Sequence, residues 1–191
     1  MQVINWNNFI NNNLNLNKKK TSMTIGMFDG VHRGHQELIR KIVSYNTNHL
    51  PVIVTFRQNH KIIRNEENRE LNNIQSFQER LKIFEKLGIM LTITVDFTDE
   101  FKKMPGIEFI SILLKHGNLG FFAAGSNFRC GYQLDTNAIA IKDFLVSRGI
   151  PAEIVPEVME GALPISSSRI RTAINDGDNN QAETMLGRTL F

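Results

Sequence analysis

Two histidines lie three residues apart within the glycine-rich stretch GMFDGVHRGH, which runs from Gly26 to His35. Its three glycines allow a tight turn and let backbone N–H groups approach a bound anion closely. Residues three apart lie on one face of a helical turn, so His32 and His35 could donate hydrogen bonds to the same phosphate group. A helix that begins near His35 would also direct its positive end at that phosphate. The stretch therefore predicts a phosphate-binding turn between a strand and a helix.

Two other interpretations of this stretch are open. The glycines could form only a strand–helix turn, with both histidines as ordinary surface residues. The histidine pair could instead bind zinc, because imidazole nitrogens are common zinc ligands. No cysteine or carboxylate motif completes a zinc site in the sequence, so we predict no metal-ligating residues. The position of the pair, after the first apolar run and before a helix, favours phosphate binding over both.

A second segment suited to phosphate is ISSSRIR, from Ile165 to Arg171. Serine is a favoured residue at the start of a helix, and three in a row offer hydroxyl groups beside free backbone N–H groups. Arg169 and Arg171 carry a permanent charge on a forked donor that matches phosphate oxygens. The alternative is a capped surface helix with two solvated arginines. Two phosphate-suited helix starts in one chain favour the binding interpretation.

Five short apolar runs alternate with segments of helical character. This alternation predicts a doubly wound α/β fold with a five-stranded parallel sheet. Ligands of such sheets bind beyond the carboxyl ends of the strands, so we expect the site in the loops that follow the first, second, fourth and fifth runs. The runs are Met23–Ile25, Val52–Phe56, Ile89–Val95, Leu119–Ala123 and Ile150–Val155.

Local signals predict where the intervening helices begin and end. The sequence SFQE from Ser76 has the Ser-x-x-Glu form of a capping box, and Gly88 is suited to end the helix that follows it. Pro105 is typical of the first turn of a further helix, and Asn137 to Arg148 indicates another. The polar stretch from Arg57 to Asn73 lacks periodicity, which predicts a mobile loop.

The composition bounds the class of protein. A net charge of +3 suits anionic ligands without demanding nucleic acid, and the one cysteine, Cys130, excludes an intramolecular disulfide. No apolar run approaches the roughly 18–20 residues of a membrane span, and the polar N-terminus lacks a secretory signal. We therefore expect one cytoplasmic domain over residues 1–191, with residues 1–22 as a polar N-terminal extension and no nucleic-acid or membrane partner.

The His-x-Gly-His pattern after a first strand resembles the nucleotidylyltransferase superfamily, which has a Rossmann-like fold. The longer stretch around it resembles the bacterial bifunctional riboflavin kinase/FAD synthetase family, whose N-terminal module is an FMN adenylyltransferase. Further matches arrive in the family's order, so the resemblance runs from about Met23 to Leu190. These matches are Thr55-Phe56, Leu87-Gly88, the stretch GSNFRCG from Gly125, ISSSRIR, Gly177-Asp178 and Leu186-Gly187-Arg188.

The resemblance implies roles for individual residues. In the superfamily the paired histidines bind the ATP phosphates and stabilise the transition state, so His32 and His35, with Arg171, are expected to be catalytic. Mg²⁺ is expected to bridge the ATP phosphates. By the same carry-over, FMN would be bound by Phe56, Asn127 and Phe128, and ATP by Gly26, Phe28, Asp29, Gly30, His32, His35, Ser167, Ser168, Arg169 and Arg171.

The sequence departs from the family mainly on the acceptor side. Met27 stands where the family often has Asn, Cys130 replaces a common Phe, and the Gly- and Arg-bearing stretch that follows becomes YQLDTN, from Tyr132 to Asn137. The family's Thr-Phe-x-Pro-His-Pro becomes TFRQNH, from Thr55. The family's riboflavin kinase module has no counterpart before the chain ends at Phe191. We therefore expect no kinase domain and FMN supplied from elsewhere, for instance by a separate riboflavin kinase.

Three hypotheses about function follow. The leading one is transfer of AMP from ATP to FMN, which gives FAD and pyrophosphate. The altered acceptor-side motifs motivate a second, in which an adenylyl- or cytidylyltransferase acts on another phosphorylated acceptor. The third is a catalytically idle protein that binds a nucleotide or a flavin. The intact histidine pair and Ser/Arg segment favour the enzymatic hypotheses.

Overall fold

A computed structural model of the protein describes residues 1–11, 19–57 and 73–190, and its centre is a parallel β-sheet. The strands are β1 (Gln2–Asn5), β2 (Thr21–Gly26), β3 (Leu50–Phe56), β4 (Leu91–Val95), β5 (Leu119–Gly125), β6 (Arg129–Cys130), β7 (Thr136–Asn137), β8 (Ala152–Val155), β9 (Met159–Glu160) and β10 (Leu163–Pro164). In this part of the chain six strands form the sheet in the order β1-β4-β3-β2-β5-β8, all parallel. The pairs β6–β7 and β9–β10 are short antiparallel ribbons.

Helices cover both faces of the sheet. They are α1 (Trp6–Asn11), α2 (Arg33–Ser44), α3 (Phe77–Lys86), α4 (Asp99–Lys102), α5 (Gly106–His116), α6 (Ala138–Val146), α7 (Ser167–Asn175) and α8 (Asn179–Leu186). Buried side chains of α1, α5 and α6 pack on one face, and those of α2 and α3 pack on the other. The pair α7 and α8 has a small apolar cluster of its own. None of the helices described is long and apolar enough to cross a membrane.

The predicted α/β class is confirmed, but the predicted count of five strands is wrong because the sheet contains β1. This strand lies within the stretch that the sequence predicts to be a polar extension. It pairs with β4, Gln2 opposite Leu91 and Asn5 opposite Thr94. As an edge strand it is only partly buried, so its side chains lack the continuous apolar pattern of the inner strands. The helix α1 that follows it buries Phe9 completely.

Most of the local signals mark real helix ends. The Ser76 side chain accepts from the backbone N–H of Glu79 at 3.2 Å, and the Glu79 carboxylate accepts from the backbone N–H of Ser76 at 2.8 Å, which completes the capping box. Pro105 and Asn137 are the capping residues before α5 and α6. The predicted mobile loop falls largely on residues 58–72, which lie outside the described residues.

The order of the strands determines where a ligand can bind. From β2 the chain builds the sheet in one direction through β3 and β4, then crosses to the other side of β2 and adds β5 and β8. The loops after β2 and β5 therefore leave the sheet toward opposite sides. Such a switch point opens a crevice at the carboxyl ends of the strands, where α/β proteins bind their ligands.

The N-terminal segment is expected to contribute strongly to stability. The Phe9 ring lies 5.4 Å from that of Trp6, whose ring also contacts Phe109 at 5.3 Å between centroids. We expect Phe9→Ala to lower the free energy of unfolding by about 3–5 kcal/mol because it leaves a cavity in the main core. Urea unfolding followed by circular dichroism measures this. The control Asn7→Ala, on the exposed face of the same helix, should change stability by no more than about 0.5 kcal/mol; equal, small effects would contradict an integral role for this segment.

Candidate active site

A cleft of about 280 Å³ opens at the carboxyl ends of β2, β5 and β8. Three of the four predicted ligand loops therefore meet at one place, together with the start of α7. The loop after β3 runs into residues outside the described part of the chain. The cleft is lined by Met27, Asp29, His32, Gly34, His35, Leu38, Gly125, Ser126, Asn127, Val155, Pro156, Glu157, Val158, Ile165, Ser166, Ser167, Ser168 and Arg171.

The glycine–histidine stretch forms a strained turn between β2 and α2. Phe28, Gly30 and Val31 all have positive φ, at 51°, 81° and 39°. A β-carbon on Gly30 would lie 2.9 Å from Cδ1 of Ile74, so both its φ and its surroundings favour glycine. The Phe28 ring is fully buried against Phe84, at 5.5 Å between ring centroids. Of the residues predicted to bind ATP in this turn, Gly26, Phe28 and Gly30 do not line the cleft.

The histidine pair lies at the start of α2 and lines the cleft. The two rings stack with centroids 3.6 Å apart and planes 21° apart. His32 is the capping residue, and its Nδ1 accepts a long hydrogen bond of 3.4 Å from the backbone N–H of His35. Gly34 lets the ring lie close, because a β-carbon there would be 3.2 Å from it. Nδ1 of His35 is buried and has no hydrogen-bond partner among the described residues.

Burial keeps both imidazoles uncharged at neutral pH. It lowers the pKa of His32 to about 4, with a further contribution from the nearby charge of Arg188. Burial also lowers the pKa of His35 well below its ordinary value, with smaller contributions from His32 in its protonated form and from the charge of Arg80. A bound triphosphate would favour the charged form of each ring, so the pKa values would rise on binding. Binding of an anion and uptake of protons by His32 and His35 are therefore expected to be coupled.

Asp29 connects this turn to the Ser/Arg segment. One carboxylate oxygen accepts from Nη1 of Arg171 at 2.7 Å, and the other accepts from the backbone N–H of Ile74 at 3.1 Å. The hydroxyl of Ser167 donates to the backbone carbonyl of Asp29 at 2.8 Å. Burial raises the pKa of Asp29, while the Arg171 guanidinium opposes that rise. The carboxylate predicted to bind ATP thus holds α7 against the turn.

The remaining residues of the Ser/Arg segment divide into two groups. Ser166, Ser167, Ser168 and Arg171 line the cleft, and Ser166 caps α7 by accepting from the backbone N–H of Arg169 at 3.3 Å. The Arg169 side chain does not line the cleft. Its guanidinium donates to the carbonyl oxygens of Leu163 and Pro164, at 2.9 and 2.7 Å. Arg169 therefore braces the β9–β10 ribbon.

Of the three residues predicted to bind FMN, Asn127 and Phe128 lie side by side, whereas Phe56 lies elsewhere. Asn127 lines the cleft, and its amide donates to Glu157 at 2.9 Å. Asn127 and Phe128 also line an adjoining recess between β6 and the start of α6. Phe56 lines neither of these spaces, because its ring stacks on Phe97 at 4.6 Å within the main core. The recess is bounded by Ser126, Asn127, Phe128, Arg129, Asn137, Ala138 and Ile139.

Two further arginines contact the turn, and sequence reasoning assigned neither of them a role. Arg80 of α3 is 6% exposed and donates to the carbonyl oxygens of Met27 and Phe56. Arg188 donates to the carbonyl oxygens of Gly30 and Val31. A signal for Arg80 exists in the sequence, because it occupies an apolar-stripe position between Phe77 and Phe84 on α3. Arg188 carries no local signal beyond the Leu-Gly-Arg match.

No group of three or more metal-ligating side chains exists among the described residues. The carboxylates beside the cleft already have partners: Asp29 binds Arg171, Glu157 accepts from Asn127, and Glu160 pairs with Arg33. A divalent cation in the cleft would therefore depend mainly on oxygen atoms of the ligand.

Comparisons with known proteins agree on one family. A family model described as FAD synthetase matches residues 14–169. The chain is 28% identical over 167 residues to a bifunctional riboflavin kinase/FMN adenylyltransferase of Escherichia coli (strain K12), which covers 86% of this chain and 53% of the relative. It is 28% identical over 180 residues to a FAD synthetase of Listeria monocytogenes, covering 93% of this chain and 72% of that one. The chain spans about half the length of the bifunctional relative.

A solved structure shows the same fold. The crystal structure of a Streptococcus pneumoniae protein described as a macrolide-efflux protein superposes with a TM-score of 0.83 at 26% identity. The superposition covers all of this chain and 61% of the other.

The lowered histidine pKa values predict a loss of stability in mild acid. Below its ordinary pKa of 6.5, His32 binds a proton in the unfolded chain but not in the folded one, whose value is about 4. The free energy of unfolding should therefore fall from about pH 6.5 to pH 5, by up to about 1.4 kcal/mol per pH unit for each such histidine. Asp29, whose pKa is raised, acts in the opposite direction at lower pH.

Urea unfolding of the ligand-free protein at several pH values measures this loss. The variant His32→Asn keeps an acceptor at the capping position but cannot titrate there, so it should lose less stability over the same pH range. Identical pH dependence in the variant and the parent protein would show that His32 does not carry the effect.

Proposed function

Because the chain belongs to the FAD synthetase family, a family of nucleotidyltransferases, we propose that it transfers the adenylyl group of ATP to FMN, giving FAD and pyrophosphate. The observation that carries this proposal is the meeting of two phosphate-suited helix starts at one cleft. His32 and His35 come from the start of α2, and Ser168 and Arg171 come from the first two turns of α7. All four side chains line the same space at the switch point of the sheet.

In the proposed reaction the adenylyl group passes directly from ATP to FMN, without a covalent bond to the protein. An oxygen of the FMN phosphate attacks the α-phosphorus of ATP in line, a new P–O bond forms, and the bond to the β-phosphate oxygen breaks to release pyrophosphate. Catalysis then depends on positioning and on stabilising the negative charge that shifts toward the leaving group. The His32 and His35 side chains, the first-turn amides of α2 and the Arg171 guanidinium are the donors for that charge.

The hydrogen bonds that Ser167 and Arg171 already make determine which of their groups remain available to bind ATP. The Ser167 hydroxyl already donates its hydrogen to the Asp29 carbonyl, so its oxygen can only accept from the ligand. The backbone N–H of Ser167 remains as a donor. Arg171 uses Nη1 for Asp29, while its Nη2 donates to Ser168 at 3.3 Å, a longer contact that a phosphate oxygen can replace. Ion pairing with Asp29 therefore sets the direction of Arg171 before ATP arrives.

Mg²⁺ is proposed as the accompanying cation. The carboxylates at the cleft are engaged with Arg171 and Asn127, which fits an ion held by the ATP phosphates rather than by a protein cage. When bound, the ion would neutralise part of the triphosphate charge. FMN is proposed to occupy the recess beside the cleft, which Asn127 and Phe128 line. A riboflavin kinase is the class of enzyme that would supply it.

A coupled assay of FAD and pyrophosphate tests the proposal. Purified protein with ATP, MgCl₂ and FMN should form FAD and pyrophosphate in equal amounts. Riboflavin is the matched control, because it has the same ring system without the attacking phosphate. CTP in place of ATP, and phosphopantetheine or nicotinamide mononucleotide in place of FMN, test transfer of another nucleotide or to another acceptor. Pyrophosphate release with one of these and none with FMN would reject FMN as the acceptor.

His35 is expected to be essential for turnover. His35→Gln removes an imidazole whose buried Nδ1 has no hydrogen-bond partner in the described part of the chain, and we expect kcat/KM for ATP to fall by about 100-fold or more. His116→Gln is the matched control, because His116 lies at the end of α5 and does not line the cleft. Steady-state kinetics with FMN in excess measures both variants. If the His35 variant turned over like the parent while calorimetry showed unchanged ATP binding, the proposed phosphate contact would be wrong.

A further inference from the structure

The backbone carbonyl groups of the turn from Met27 to Val31 are all engaged in hydrogen bonds. Four of them accept from side chains that lie far away in the sequence. Arg80 donates to the carbonyl of Met27, Ser167 to that of Asp29, and Arg188 to those of Gly30 and Val31. The Phe28 carbonyl accepts from the backbone N–H of Val31 at 3.1 Å. The turn is therefore held from outside at nearly every peptide group.

This turn needs such external support because its backbone is strained. Phe28 and Val31 adopt left-handed φ values of 51° and 39°, although neither is glycine. The left-handed region is especially unfavourable for Val31, whose side chain is β-branched. A non-glycine residue in this region is destabilising and persists only where its surroundings enforce the conformation. The conformation of this turn sets the direction in which the chain enters α2, and it thereby sets the positions of His32 and His35.

Arg80 is buried to an extent that is unusual for a guanidinium. Only 6% of the residue is exposed, and its Nη2 donates to the carbonyl of Phe56 at 3.1 Å, at the carboxyl end of β3. The guanidinium lies 5.0 Å from the centre of the Phe77 ring. Its Nε is buried with no hydrogen-bond partner among the described residues. Arg80 thus joins the carboxyl ends of β2 and β3 without an ion pair of its own in the described part of the chain.

Arg188 holds the other end of the turn. Its Nη2 donates to the Gly30 carbonyl at 2.7 Å and to the side-chain oxygen of Gln75 at 2.7 Å, while Nη1 reaches the Val31 carbonyl at 3.3 Å. Gln36 donates to the same Val31 carbonyl at 2.9 Å and to the Leu186 carbonyl at 2.8 Å. These contacts bind the end of α8 to the first turn of α2.

Three guanidinium groups, those of Arg80, Arg171 and Arg188, place fixed positive charge around the turn, and Asp29 supplies one negative charge there. The carboxylates of Glu79, near Arg188, and of Glu157, at the cleft, offset part of the positive charge, and the two histidines are uncharged. A buried positive charge without a neutralising partner destabilises the folded protein, and an anion bound in the cleft would offset that cost.

We propose that Arg80 and Arg188 are positioning residues of the adenylyl transfer: they hold the turn from Met27 to Val31 so that His32 and His35 meet the triphosphate. Neither residue lines the cleft, so each acts through the backbone it binds. This inference rests on the proposed function for its reaction, but its structural content concerns ATP binding alone.

The variants Arg80→Lys and Arg188→Lys test the geometric part. Lysine keeps the charge but lacks the fork that reaches two carbonyl oxygens at once. We expect kcat/KM for ATP to fall by about 10- to 100-fold in each variant, while KM for FMN stays the same, because displacing the histidines by an ångström weakens the phosphate contacts. Arg148→Lys is the matched control: its guanidinium also stacks on a phenylalanine and donates to a carbonyl, but at the end of α6, away from the cleft.

A histidine titration separates a positioning role from a merely structural one. The charge of Arg188 contributes to the low pKa of His32, so NMR titration should show a higher pKa for His32 in Arg188→Gln than in Arg188→Lys. Arg188 is only partly buried, so these variants should fold even if Arg80→Lys does not. A lowered melting temperature with unchanged kcat/KM and unchanged His32 titration would overturn the proposal.

Calorimetry with ATP keeps this inference distinct from the proposed function. If the parent protein binds ATP but makes no FAD, the FMN proposal fails, and weaker ATP binding by the lysine variants still supports the positioning role. If the parent makes FAD and the folded lysine variants bind ATP and react as it does, the positioning role fails and the proposed function stands.

Discussion

The buried carboxylate of Asp29 is the contact on which the rest of the site depends. It accepts from Arg171 and from the backbone of Ile74, while the carbonyl of the same residue accepts from Ser167. One residue of the glycine–histidine turn thus joins α7 and the segment before α3 to the end of β2. Two of these bonds, from Arg171 and Ser167, hold the start of α7 beside the start of α2.

The same carboxylate shapes the electrostatics of the cleft. Burial raises the pKa of Asp29 and Arg171 counteracts that rise, so the pair stabilises the ionised form of a group that burial alone would disfavour. The positive charge at the turn then comes from arginines, while His32 and His35 remain uncharged until an anion arrives. The proposed anion would therefore meet fixed guanidinium charge and two imidazoles that can take up protons.

Much of this arrangement could be predicted from local pattern. The inner strands are continuous apolar runs, and the Ser76 capping box and the His-x-Gly-His spacing are local signals, so the fold class and the approximate place of the site followed from them. What could not be predicted depends on distant neighbours. The edge strand β1 is short and only partly buried, so it lacks a continuous apolar run, and Phe28 is adjacent to the site in sequence but turns into the core. Nor does any local rule say that a guanidinium on α3 will meet the Met27 carbonyl.

The packing of α8 on the turn affects the order in which the sheet and the turn form during synthesis. Arg188 and the Gly30 carbonyl it holds are 158 positions apart, and Arg171 and Asp29 are 142 apart. During synthesis all strands of the central sheet leave the ribosome before either arginine does, and Arg188 follows the end of β8 by 33 residues. A nascent chain can therefore form its central sheet while the turn still lacks the groups that hold its shape. We therefore expect the turn to reach its final shape only after α8 has been synthesised and has packed against it.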